Sequence, residues 1–166
     1  MRAEGAEVRQ PKSSIERVAA EAERLGLDIE VKTFEQSTRT AEEAAEACGC
    51  DVAQIVKSLV FVDADTGALV LVLVSGAHAL DTAFVDERHG LRLERCDTRR
   101  VRSETGFAIG GVAPIGHLTP IRVLMDETLL QHAIVWAAAG RPDSVFSVDP
   151  KALQDACAAK VIAVRR

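Results

Sequence analysis

Ile55-Val56-Lys57-Ser58-Leu59-Val60-Phe61-Val62, followed by Asp63-Ala64-Asp65-Thr66-Gly67 and then by Ala68-Leu69-Val70-Leu71-Val72-Leu73-Val74, sets the architecture of this chain. Both flanking runs are rich in β-branched residues and almost wholly apolar, and the five residues between them carry turn chemistry. This predicts two adjacent antiparallel strands at the centre of a sheet, covered on both faces. Lys57 and Ser58 interrupt the first run. A lysine in a strand covered on both faces needs an anionic partner or a route for its ammonium to water.

Upstream, Pro11 and Ser13-Ser14-Ile15-Glu16 form a capping-box start. Ile15, Val18, Ala19, Ala22 and Leu25 then repeat at helical spacing until Gly26. Residues 29–34 alternate as a strand. Thr40-Ala41-Glu42-Glu43 opens a second helix that ends at Cys48 and Gly49, and Asp51 caps a short turn through Gln54. Downstream, 81–89 and 97–104 are helices stopped by Gly90 and Gly106. Four glycines and Pro114 within 106–117 forbid a helix there and free the backbone to approach a ligand. Strands follow at 121–125, 133–138, 144–148 and 161–164. A helical turn at 126–130 and a last helix opened by Asp149-Pro150 lie among them. Trp136 and Phe61 are assigned to the core. The pattern is that of an α+β single domain, a mixed and largely antiparallel sheet of about seven strands surrounded by helices, spanning 13–166 after an N-terminal tail at 1–12.

The chain has 166 residues, a net charge of -5, 48% hydrophobic and 27% charged residues, a balance that excludes disorder as the main state. No apolar run reaches membrane-spanning length and the first residues lack the apolar core of a secretory signal, so the expected location is cytoplasmic, with no membrane partner. Cys48, Cys50, Cys96 and Cys157 show no zinc spacing; no metal and no cofactor is expected. Cys48-Gly49-Cys50 is either a helix end running into a loop or a redox pair. Acidity overall argues against wholesale coating of nucleic acid, yet Arg88, Arg92, Arg95, Arg99, Arg100 and Arg102 crowd one stretch. That stretch is either a solvated face or a phosphate-contacting rim, for which Arg92, Arg95, Arg99 and Arg100 are the candidates.

Three segments taken together, Thr40-Ala41-Glu42-Glu43-Ala44-Ala45, Gln54-Ile55-Val56-Lys57-Ser58-Leu59-Val60-Phe61 and Gly110-Gly111-Val112-Ala113-Pro114-Ile115-Gly116-His117, resemble the YbaK / prolyl-tRNA synthetase-associated domain family. The resemblance runs roughly from Ile15 to Val164, in order and spacing. It implies the YbaK-like fold and a trans-editing hydrolase that deacylates mischarged aminoacyl-tRNA. A small amino acid such as Ala or Cys on tRNA(Pro) is the implied substrate, the acceptor end of the tRNA the partner, and prolyl-tRNA synthetase a possible second one. The family's essential lysine falls on Lys57, its Gly-x-x-x-Pro loop on 110–114, and its Ser/Thr position on Ser58; Asp126 matches an acidic residue at the end of a late strand. Ala113 and Ile115 depart from the proline and phenylalanine of many relatives, which bears on pocket shape.

The implied catalytic set is Lys57, Gly110 and Gly111, with Ser58, Val112, Ala113, Pro114, Gly116, His117 and Asp126 as substrate-binding residues. Aminoacyl esters are activated, so orientation and a grip on the developing oxyanion or the terminal phosphate suffice, and a compact ammonium suits that task. His117 is either a proton carrier or a structural cap of the loop, and Asp126 either a positioning or capping group or a base. His78, His89 and His132 have no partner at catalytic spacing. Two other functions remain open: a non-catalytic module that binds aminoacyl-tRNA or a synthetase, and a thiol protein working through Cys48 and Cys50.

Overall fold

A computed structural model describes residues 13–38 and 40–166; Pro11 and the tail at 1–12 lie outside the described residues. Five helices occur among the described residues: α1 (Ser14–Arg24), α2 (Ala41–Cys48), α3 (Thr82–His89), α4 (Thr98–Thr105) and α5 (Pro150–Cys157). Eight strands accompany them: β1 (Glu30–Thr33), β2 (Val56–Asp63), β3 (Leu69–Ser75), β4 (Leu93–Arg95), β5 (Arg122–Asp126), β6 (Val135–Arg141), β7 (Ser144–Val148) and β8 (Lys160–Ile162). The helix ends follow their capping chemistry. Ser13 and Glu16 exchange a capping box at α1, the Thr40 hydroxyl accepts from Glu43 N–H at α2, and Asp81, Asp97 and Asp149 cap α3, α4 and α5.

The strands divide into two sheets, one ordered β1-β7-β6 and one ordered β4-β2-β3-β5-β8. The hairpin pairs antiparallel with Lys57 opposite Val74 and Leu59 opposite Val72, while β3–β5 and β5–β8 are parallel. The expected α+β class and mixed sheet hold, with an eighth strand and a division in two that periodicity did not show. β4 escaped because Leu93-Glu94-Arg95 is short, polar and embedded in the arginine-rich stretch.

β3 is buried along its whole length. Its residues feed two cores by alternation: Leu71 and Leu73 join Val18, Phe107 and Phe146 in the main one, whereas Val70, Val72 and Val74 pack with Val85 of α3 and Ile162 of β8 on the opposite face. β2 corrects the expectation of a strand covered on both faces: residues 57–62 are only half-buried. Among the described residues, β2 pairs on its outer side with β4 only from Phe61 to Asp63, and Ile55, just before it, meets Trp136 of β6 at a single parallel bridge. The two sheets part between those points, and the opening exposes the strand. Trp136 and Phe61 are likewise half-buried, as walls of that opening instead of full core residues.

Candidate active site

The parting of β2 from β6 makes a cleft of about 490 Å³, within the range of small-ligand sites. Its walls are mostly apolar: Ala41 and Ala44 of α2, Ile55, Trp136, Val112 and the exposed Ile109. Lys57, Arg95 and Arg141 also line it, and no Asp or Glu does so among the described residues. An acidic chain thus presents a cavity bordered by cations, a setting that favours an anionic ligand with a small or apolar group.

Lys57 and Ser58 occupy opposite faces of β2, and both border the cleft because the strand edge is open there. The Lys57 ammonium donates to the main-chain carbonyl of His78, just past the end of β3. The His78 ring lies with Nδ1 3.2 Å from Asp126 Oδ2 and 3.3 Å from the Thr128 hydroxyl. Asp126 is 1% exposed; its carboxylate accepts from Ser75 N–H at 3.1 Å, Thr128 N–H at 3.0 Å and the Thr128 hydroxyl at 2.8 Å. It caps the 3-10 turn Glu127–Gln131 and ties the ends of β3 and β5 together, the positioning alternative of the two left open for it. It does not line the cleft and reaches Lys57 only through His78. Sequence spacing missed this link because His78 and Asp126 are brought together by the parallel β3–β5 pairing, 48 residues apart.

Gly110 and Val112 line the same cleft as Lys57 and Ser58; Gly111, Ala113, Pro114, Gly116 and His117 do not. Gly110 has φ +92°, a backbone that disfavours any side chain. Gly111 has a different reason to be glycine: a Cβ there would stand 2.9 Å from Arg141 Cα, so the closest approach is by the protein's own β6–β7 turn. Pro114, Gly116 and His117 border a separate depression beside α1 and α5. His117 Nε2 donates to the Ala113 carbonyl at 2.7 Å and its ring meets Phe107 edge-on, so it braces the loop. Burial pushes its pKa down from the usual histidine value, favouring the neutral ring. Arg17 of α1 holds the other end, donating to Gly116 O and Gly106 O at 2.9 Å each with its guanidinium over the Phe107 ring. Nothing in the α1 pattern distinguished Arg17 from a solvated residue.

Of the four rim candidates, Arg92 is paired with Asp65 at 2.5 Å and Arg100 with Glu104 at 2.5 Å. Arg99 is almost fully exposed, 3.9 Å from Asp97, and Arg95 borders the cleft. Arg141, not singled out by sequence, borders it too, 3.3 Å from Asp143. Burial raises the thiols of Cys48, to about 11, and of Cys50, and that of Cys157 to about 12, which leaves them protonated and poorly nucleophilic. All four cysteines are free thiols. Among the described residues no three His, Cys, Asp or Glu side chains converge to hold a metal, and no helix is long and apolar enough to cross a membrane.

A two-sheet α+β domain with a cation-bordered cleft at the split is the frame of a small ligand-handling domain. The model of the aminoacyl-tRNA editing domain matches residues 35–156, most of the chain, and the chain belongs to that family of deacylases of mischarged aminoacyl-tRNA. A crystal structure of a candidate trans-editing enzyme for prolyl-tRNA synthetase is similar at 42% identity and TM-score 0.86, covering 95% of this chain and 99% of that one. The uncharacterized protein YwhH of Bacillus subtilis is 30% identical over 80% of this chain and 83% of its own length. EbsC of Enterococcus faecalis, described as a candidate Cys-tRNA(Pro)/Cys-tRNA(Cys) deacylase, is 28% identical over 69% of this chain and 70% of its own.

Proposed function

We propose that this protein removes a small amino acid, such as Ala or Cys, from mischarged tRNA(Pro), binding the acceptor end in the cleft between β2 and β6. The observation that carries this reading is the combination of apolar walls with Lys57, Arg95 and Arg141 in one cavity whose described lining has no carboxylate. The apolar walls suit a small side chain, and the cations suit the phosphate of the terminal nucleotide. Its similarity to a candidate trans-editing enzyme for prolyl-tRNA synthetase and to EbsC supports tRNA(Pro) as the carrier. The synthetase as a partner and the cytoplasm as the place of action belong to the same proposal.

In the reaction, water adds to the ester carbonyl carbon, the bond to the ribose oxygen breaks, and that oxygen leaves with a proton as the free amino acid departs. Lys57 supplies fixed positive charge for the developing oxyanion or the neighbouring phosphate, and the main chain at Gly110 orients the attacking water. Gly111 and His117 act through the loop, holding Gly110 and Val112 at the cleft wall. Screening the purified protein against a panel of mischarged tRNAs tests the reading. Release of Ala or Cys from tRNA(Pro) is expected; binding without release would move the assignment to a non-catalytic aminoacyl-tRNA module.

A further inference from the structure

Among the described residues, the outer edge of β2 has no strand partner between the Ile55–Trp136 bridge and the start of the β4 ladder at Phe61 opposite Arg95. The direction of its peptide groups follows from the hydrogen bonds at its end. Asp63 N–H donates inward to Ala68 O, Ala64 N–H outward to Arg92 O, and alternation turns the peptide groups of Val56, Ser58 and Val60 outward. Val56 adjoins the bridge and Val60 adjoins the ladder. Ser58 stands midway, on the cleft. A second observation falls on the same residue: Ser58 Oγ is the buried side-chain polar atom that lacks a hydrogen-bond partner among the described residues. Buried polar atoms are rarely left unpaired, which sets Ser58 apart from the other residues of the strand.

An aminoacyl ester carries an ammonium donor and a carbonyl acceptor on either side of a single Cα, the same layout as one residue of a strand. We propose, building on the deacylase reading above, that the aminoacyl group docks on the open edge at Ser58 as a one-residue antiparallel strand. Its α-ammonium donates to the Ser58 carbonyl, and its ester carbonyl accepts from the Ser58 N–H. Opposed residues of an antiparallel pair share a sheet face, so the amino acid's side chain points to the Ser58 face, where Val101 and Val112 line the cleft. The substrate class that follows is an L-α-aminoacyl ester with a small apolar side chain and a free amino group. The same N–H lies on the oxygen where negative charge develops, adding to the Lys57 contribution.

The test compares two non-hydrolysable probes, the alanyl amide and the propionyl amide of the terminal adenosine, which differ only by the amino group. Binding is followed in amide nitrogen–proton correlation spectra of the wild-type protein. The Ser58 amide should shift and gain exchange protection with the alanyl probe, and the propionyl probe should bind about tenfold or more weakly, the loss expected from one hydrogen bond to a charged group. Equal affinities, or shifts at Gly110 and Val112 with none at Ser58, would overturn the docking mode; if mischarged tRNA is still hydrolysed, the deacylase reading stands. No cleft response to either probe together with no hydrolysis would overturn both. Ser58→Pro removes the outward N–H without taking a bond from the β2–β3 ladder, as edge strands tolerate. Provided its far-ultraviolet circular dichroism is unchanged, it should lose most deacylation; undiminished rates would contradict the proposal.

Discussion

Lys57 and Asp126 are coupled without touching: the lysine ammonium donates to the His78 carbonyl, and the His78 ring meets the Asp126 carboxylate at 3.2 Å. The buried carboxylate also satisfies Ser75 N–H and two donors of Thr128. Asp126→Ala leaves the buried Ser75 N–H and the half-buried Thr128 donors unpaired and should cost about 3 kcal/mol of stability in urea unfolding, with Asp126→Asn costing less. His78→Ala should lower kcat more than it raises KM, because it loosens the segment that aims Lys57 while leaving the cleft walls in place. His78→Asn, which keeps a side-chain donor, should recover part of the loss. A purely structural role for His78 would lower stability without changing kcat.

Gly111 and Gly110 should respond differently to alanine. At Gly111 the new Cβ would press on the main chain of Arg141, which cannot move as a side chain would, so a loss of about 1–3 kcal/mol and a displaced β6–β7 turn are expected. At Gly110 the Cβ would meet only Pro142 Cγ at 3.8 Å, and the cost is the positive φ alone, about 1 kcal/mol. Thermal melts of the two variants check the order.

The hairpin was legible because β-branched runs and an Asp-Thr-Gly turn act locally, and the helix caps because each is a contact between residues two or three apart. What escaped depends on the third dimension. The apolar run of β2 looks like that of β3, and only the parting of the sheets turns one into a cleft edge and leaves the other buried. Lys57, Ser58 and the glycine loop stand out in the local pattern, and the motif resemblance gives them roles. Arg17, His78 and Arg141 do not, since their roles rest on pairings across 99, 48 and 30 residues or more that no local pattern encodes.

The same geometry revises which arginines are proposed to meet RNA. Arg92 and Arg100 are engaged with Asp65 and Glu104 away from the cleft, whereas Arg95 and Arg141 border it, Arg141 while also paired with Asp143. Arg95→Gln and Arg141→Gln should each weaken tRNA binding and flatten the dependence of log affinity on log salt by about one unit per lost phosphate contact. Arg92→Gln should leave the slope unchanged. Filter binding at several salt concentrations reads both; a slope that falls for Arg92→Gln and not for Arg95→Gln contradicts the placement.

His117 predicts an acid limit to stability. Its folded pKa lies below the ordinary value of 6.5, so the unfolded chain takes up the proton first as pH falls. Its contribution is complete above about pH 6.5 and is lost as the pH drops from there through the folded pKa. Melting temperatures should decline over that window in the wild type and lose this component in His117→Asn; identical slopes in the two proteins would contradict it.

Deacylation of a mischarged tRNA by the wild type and by Lys57 variants, with folding checked by circular dichroism, tests the central claim most directly. Lys57→Ala should lose activity by at least about a hundredfold while keeping the fold, because it removes the fixed cation from a half-buried strand position that accepts alanine. Lys57→Arg keeps the charge in a larger planar group and should recover little if a compact ammonium is required. Wild-type-like rates in folded Lys57→Ala would contradict the assignment of catalysis to this cleft edge.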